Sequence, residues 1–243
     1  QYNIPRFVFL NKMERERASF ERALESIRKA FGDGIMPVQL PIGQEASFKG
    51  VIDLITQKAS IYKDASGAPT VGDVPADLKE DADMYRTSLM EKAAEGRDDL
   101  LEKYLESGVL TDEELIAGLK AGIRAGTICP VFCGAALNNI GVKELMDALV
   151  AWAPSPLERP APKGKIAGTD TEAECALDPN AHVVAQVFKT FVDPFAGRVN
   201  LFRVYAGSMV SGSELHNLNK EKKERIAHVS YPFGKKQNQV DAV

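Results

Sequence analysis

The chain has 243 residues, 44 % of them hydrophobic and 26 % charged, which is enough apolar material for one to three domains with real cores. Three cysteines with no Cys-x-x-Cys pair, and three scattered histidines, His182, His216 and His228, argue against a disulfide framework and a zinc site. No stretch approaches the roughly 20 apolar residues of a membrane helix, and the N-terminus lacks the layout of a signal peptide, so the expectation is a cytoplasmic protein with no membrane partner.

The formal charge of -4 is unevenly spread. Residues 1–31 hold seven Lys and Arg against four Asp and Glu, 32–127 ten against eighteen, 128–181 four against seven, and 182–243 nine against five. Such a split suggests modules with different partners: the acidic middle would be repelled by nucleic acid, and the basic tail would tolerate it.

The first predicted element is a short strand, Phe7 to Leu10, apolar without a break as a strand buried on both faces requires. It stops at Asn11-Lys12-Met13-Glu14, and α/β sheets bind ligands at such strand ends. The polar residues suit guanine. The Asn11 amide both donates and accepts, the Lys12 stem can cover a flat base, and the Glu14 carboxylate accepts two bonds from the N1–H and 2-amino edge. Adenine would leave that carboxylate unpaired. The bland alternative is a strand end whose polar groups cap the next helix.

Over 15–31, Phe20, Ala23, Leu24, Ile27, Ala30 and Phe31 recur at helical spacing before Gly32-Asp33-Gly34 ends the helix. From Met36 the texture becomes β-like, with Pro37 to Ile42, Phe48 to Leu54 and Ala59 to Tyr62 predicted as a small antiparallel sheet. A loop from Asp64 to Pro75 leads to three helices, Asp77 to Ala94, Asp98 to Glu106, and one opened by the capping box Thr111-Asp112-Glu113-Glu114 and running to about Arg124. The acids at that start are read as helix caps rather than catalysts.

Ile128 to Cys133 returns to a buried-strand pattern, followed by Gly134-Ala135-Ala136-Leu137-Asn138-Asn139 and a helix from Val142 to Trp152. This second strand–loop–helix unit resembles the first, so 32–127 is expected to be an insertion in one α/β domain, with 1–31 and 128–156 its two parts. Four prolines between 154 and 162 begin a linker, 157–181. From His182 the period is two, through turn chemistry at Asp193-Pro194-Phe195-Ala196-Gly197, which predicts an antiparallel barrel, incomplete, over 182–243. The run Lys220 to Arg225 is read as a solvated hairpin, with phosphate contact as the alternative.

This order of parts resembles the bacterial elongation factor G family of translational GTPases. Asn11-Lys12-Met13-Glu14 falls on the family's Asn-Lys-x-Asp guanine motif, and Pro37 to Gly43 with Phe48 to Leu54 looks like the start of its inserted G-prime subdomain. Pro130-Val131-Phe132-Cys133-Gly134 and Asn139-Ile140-Gly141-Val142 resemble the end of the GTPase domain, and Val187-Phe188-Lys189-Thr190 with Phe202-Arg203-Val204-Tyr205 the opening of domain II. The implied fold is a partial P-loop GTPase-type α/β sheet with an inserted α+β subdomain, then part of a β-barrel. The resemblance implies that Asn11, Lys12 and Glu14 hold GTP or GDP, together with Ala135-Ala136-Leu137 on the family's Ser-Ala-Leu loop, where the Ala136 N–H would meet guanine O6. Two departures stand out: Glu14 is a methylene longer than Asp, and Ala135 lacks a hydroxyl.

No Gly-x4-Gly-Lys-Ser/Thr motif is present, nor a Thr or Asp placed to hold magnesium, so no catalytic or metal residue is expected here and hydrolysis belongs to a longer parent. Asp64-Ala65-Ser66-Gly67 fits a switch pattern only by letters. Gln1 in place of Met before a strand, and Val243 partway through the barrel, give the expectation of an internal piece. The implied partners are the ribosome, through a stalk protein on the acidic insertion and ribosomal RNA on domain II. Alternatives are a non-enzymatic ribosome or stalk-protein module, and a paralogue with another role such as ribosome recycling.

Overall fold

The computed structural model describes residues 4–158, 160–166, 168–194, 197–234 and 236–243. The chain divides into two compact units, 1–154 and 155–243.

The first unit runs β1 (Val8–Leu10), α1 (Phe20–Phe31), β2 (Ile35–Pro37), β3 (Gln39–Ile42), β4 (Gly50–Asp53), β5 (Lys58–Ile61), β6 (Thr70–Asp73), α2 (Lys79–Ala94), α3 (Asp98–Ser107), α4 (Asp112–Ala125), β7 (Cys129–Cys133) and α5 (Val142–Trp152). A parallel sheet in the order β1-β7-β2 forms its centre. All five residues of β7 are buried, as a central strand covered on both faces demands. Phe132 anchors the packing, with ring centroids 6.3 Å from Phe7 and 5.8 Å from Trp152 of α5.

The α1 helix starts at Phe20, the first apolar residue of its pattern, rather than at 15. Ser19 is the N-cap, its Oγ accepting from Arg22 N at 3.3 Å, and the residues before it form turns, with Arg15 N–H donating to Lys12 O and Ala18 N–H to Arg15 O. Phe20 and Leu24 are buried, whereas Phe31, counted with the packing face by spacing, is 62 % exposed at the C-terminus.

The expected insertion boundary at 32 falls before β2, yet β2 pairs in parallel with β7, Ile35 opposite Cys129 and Pro37 opposite Val131. The switch between sheets comes at Val38, whose N–H donates to Val131 O at 3.0 Å, and the antiparallel sheet β3-β4-β5-β6 begins at Gln39. Within the expected 64–75 loop, Thr70–Asp73 forms the exposed edge strand β6.

Helices α2 and α4 approach closely: a Cβ at Gly118 would lie 2.5 Å from Ala93 O, so only glycine fits there. Leu89 and Ala93 meet Leu115, Leu119 and Ile123 in a core with no exposure at any of the five. The capping box at α4 is present, with Thr111 N–H donating to Glu114 Oε2 at 2.9 Å and Glu114 N–H to Thr111 Oγ1 at 3.3 Å. Arg86 ties α2 to the sheet through the Leu54 and Ile55 carbonyls, and to Asp112 at 2.7 Å.

In the second unit, β8 (Lys163–Lys165) and β9 (Glu172–Glu174) form an exposed hairpin within the expected linker. Then follow the antiparallel pairs β10 (Val184–Asp193) with β11 (Gly197–Ala206), β12 (Glu214–Asn217) with β13 (Lys222–Arg225), and β14 (Val229–Phe233) with β15 (Lys236–Val240). The sequence period predicts a barrel; the described residues form these three hairpins and no closed barrel. Each hairpin satisfies its own ladder locally, which is what a period of two encodes; closure is set by register between hairpins, which the period does not specify. Phe195 and Ala196 of the predicted turn lie outside the described residues. In the Lys220 to Arg225 run, Lys220 pairs with Glu224 at 3.2 Å and Lys223 with Glu214 at 2.9 Å, so these charges cross-brace a hairpin.

Candidate nucleotide-base site

Parallel pairing of β1 and β7 puts Leu10 opposite Cys133, so the loops after both strands emerge from one end of the sheet. Gly134 N–H donates to Leu10 O at 3.0 Å, and Met13 N–H to Gly134 O at 3.1 Å, lacing the loops together by backbone. Met13, 3 % exposed, plugs the core beneath. Asn11 Oδ1 accepts from Lys12 N at 2.8 Å and from Ala136 N at 2.9 Å, the latter spanning 125 positions. One amide oxygen therefore fixes its own loop and the distant one.

Lys12 has φ 65° and is exposed, a left-handed conformation that turns the chain sharply after Asn11. Glu14 is half-buried, with Oε1 3.5 Å from Arg15 Nε. Its Oε2 is buried and has no hydrogen-bond partner, the one buried side-chain polar atom so placed among the described residues. A buried carboxylate oxygen without a donor is costly; with almost no exposure here, Oε2 meets the N–H groups of a ligand only once the side chain turns outward.

Ala135 is fully buried and pairs with Ile140, N–H to carbonyl in both directions at 3.0 and 3.1 Å, closing a tight loop over Ala136, Leu137, Asn138 and Asn139. Ala136 to Asn138 form one 3₁₀ turn, and Leu137 is 81 % exposed. The Ala136 N–H assigned by resemblance to guanine O6 is engaged by Asn11 Oδ1 here. The next amide, Leu137 N–H, sits at the second position of the turn, where no intrahelical acceptor exists. Asn11 Nδ2 keeps its two donor hydrogens for an acceptor on the base edge.

All six residues expected at the site thus belong to two adjoining loops. Those that hold the loops in place are Gly134, Ile140 and Gly141, which carry no chemical signal of their own. A Cβ at Gly134 would lie 2.4 Å from Ile140 O and 2.6 Å from the Phe9 ring, and one at Gly141, φ 76°, would lie 2.4 Å from Cys133 O. Cys129 and Cys133 are free thiols in β7; burial pushes the Cys133 thiol far up, which leaves it inert. Among the described residues no cluster of His, Cys, Asp and Glu is set to hold a metal, and no helix is long and apolar enough to cross a membrane.

Fold and loops together define an α/β domain of the GTP-binding type carrying an α+β insertion. Residues 1–155 match the family described as elongation factor Tu GTP binding domain, and residues 182–243 match elongation factor G domain 2. The chain belongs to the elongation factor Tu GTP-binding domain family, and its two matched domains stand in the order GTP-binding domain, then elongation factor G domain 2. A crystal structure of a Thermus thermophilus protein superposes with a TM-score of 0.78 at 28 % identity, covering 99 % of this chain and 33 % of that one. The chain spans about a third of the length of that protein.

Proposed function

We propose that residues 11–14 and 135–137 form the base-recognition half of a GTP/GDP site, and that the chain serves an elongation factor G-like role in which the whole protein hydrolyses GTP and promotes translocation on the ribosome. The observation that carries the base assignment is the Asn11–Ala136 bridge, which holds the two loops side by side with Glu14, whose Oε2 has no hydrogen-bond partner, on the first of them. Guanine N1–H and its 2-amino group are donors of the kind that oxygen lacks. Asn11 Nδ2 supplies a donor to the imidazole side of the base, the Lys12 stem covers its face, and Leu137 N–H or a shared Ala136 N–H meets O6. The nucleotide supplies a hydrolysable phosphate anhydride, and magnesium, in the whole protein, neutralises it. The 243 residues contain no Gly-x4-Gly-Lys-Ser/Thr cradle, so this chain binds without turnover.

Calorimetric titration with GDP, ADP and XDP tests the reading. GDP is expected to bind at least about tenfold more tightly than ADP, the discrimination of one paired against one unpaired buried acceptor. Equal affinities, or none, would remove it, and magnesium-dependent GTP turnover by the purified chain would remove the claim of inactivity.

The ribosomal partners are part of the same proposal. The acidic insertion exposes Leu101 and Leu105 on α3 at 36 and 77 %, between acids, which suits a stalk protein, and the basic 182–243 segment suits ribosomal RNA. Stalk-protein binding that persists without nucleotide, while GDP fails to bind, would instead favour a non-enzymatic interaction module.

A further inference from the structure

The inserted sheet reaches the base loop at two places that the site itself does not explain. Tyr62 follows β5, its N–H donating to Lys49 O at 2.9 Å and its side chain 5 % exposed. Its hydroxyl donates to Glu144 Oε2 at 2.5 Å across 82 positions, and the Gly141 backbone amide faces the Tyr62 hydroxyl oxygen. Gly141 is the N-cap of α5, and Glu144 lies in that helix's first turn. Burial first, and then the Glu144 carboxylate, raise the Tyr62 pKa well above its ordinary 10, so the hydroxyl remains a donor throughout the neutral range. The second place is Gly67, where an added Cβ would lie 2.2 Å from Asn139 Nδ2. The Asp64 to Gly67 segment, switch-like by letters, thus abuts the rim of the base loop.

From Tyr62 the path to the base is short and stiff. Gly141 is pressed against Cys133 O, Ile140 is paired with Ala135, and Ala136 is bonded to Asn11. We propose that Tyr62 and Glu144 are positioning residues for base recognition, the inserted subdomain bracing the 135–141 loop from behind so that guanine finds its donors already in place. The proposal rests on the guanine reading above. Its energetic logic is preorganisation: a loop held before binding loses less freedom on binding, and the gain appears mainly as slower dissociation.

The test combines two readouts on Tyr62→Phe, which removes only the hydroxyl, and on Glu144→Gln, which keeps an acceptor. Amide hydrogen exchange in the nucleotide-free full chain is expected to rise about tenfold over 135–141 in Tyr62→Phe, roughly the loss of one hydrogen bond to a charged acceptor, while β5 and α4 keep wild-type rates. GDP dissociation is expected to quicken by a similar factor, and Glu144→Gln, which keeps a neutral acceptor, to show a smaller rise in both. Unchanged loop exchange, or a rise spread evenly over 1–154, would overturn the brace. So would a loosened loop that releases GDP at the wild-type rate. If the wild-type chain binds no GDP, the guanine reading falls, and loop exchange still decides the brace.

Discussion

Glu14 places one carboxylate oxygen 3.5 Å from Arg15 Nε and buries the other without a donor, at a side-chain exposure of 17 %. In a protein selected for stability alone this oxygen would be paired or exposed, because an unmet buried acceptor costs about 1–3 kcal/mol. Glu14→Gln keeps the shape and removes the charge. The expected outcome is a nucleotide-free chain equal to or about 1 kcal/mol more stable than wild type in urea denaturation. GDP affinity falls at least about tenfold, because an amide offers guanine N1–H a weaker acceptor and sets a donor against its 2-amino group. XDP, with a carbonyl at that position, is expected to gain relative to GDP. Parallel losses of stability and of GDP affinity would make Glu14 a structural residue. The extra methylene relative to Asp is absorbed with Glu14 still half-buried and Arg15 beside it, so the departure from the family motif leaves the carboxylate at the loop rather than turned out to solvent.

At the scale of elements, α4 is the clearest case of local chemistry setting a boundary. Its three N-terminal acids serve the cap and the dipole: Glu114 closes the capping box and pairs with Lys103 at 2.6 Å, and Asp112 pairs with Arg86. Thr111→Ala is expected to cost the first unit about 1 kcal/mol in denaturant unfolding while leaving GDP affinity unchanged. The Lys103 contact, then the Thr111 amide, hold the Glu114 carboxyl below its ordinary 4.5. A depressed folded-state value means this contribution is present above the unfolded pKa and is lost as pH falls through the folded one, so the stability difference between wild type and Glu114→Gln should shrink on acidification through the carboxylate range. A loss of nucleotide affinity at constant stability would refute the capping account. The α4 helix was legible because period, cap and stop agree, and α5, which has no side-chain cap, because its apolar period marks Val142–Trp152. The β2–β3 break was not, because Ile35 to Ile42 is buried almost throughout, and two successive buried strands read the same whichever sheet they join. The β6 strand, Thr-Val-Gly-Asp and wholly exposed, has no periodic signal at all. At the site, Asn11 and Glu14 were readable as a motif and 135–137 only through resemblance. The engagement of the Ala136 N–H, the orphaned Glu14 oxygen and the Tyr62–Glu144 bond are pairings across space that no local pattern encodes.

For the whole molecule, the two units differ in how they are held. Residues 1–154 contain a continuous core running from Met13 through the insertion to Ala148, with many side chains at zero exposure. In 155–243 the buried apolar side chains among the described residues are Ala206, Met209 and Val229, and β10 leaves Val187, Phe188 and Val192 at 56 to 78 % exposure. Burial is the main favourable contribution to folding, so the second unit should unfold at lower temperature and with a shallower transition. The base contacts lie wholly in the first unit, and a ligand stabilises only the cooperative unit that binds it. At GDP a hundredfold above Kd the stabilisation is about 2.7 kcal/mol. Scanning calorimetry is therefore expected to show two transitions, the upper one moving up by several degrees with GDP and the lower one fixed. ADP at the same concentration should move neither. A single transition that shifts as a whole would mean that the units fold as one. A shift confined to the lower transition would put the nucleotide outside the β1–β7 loops.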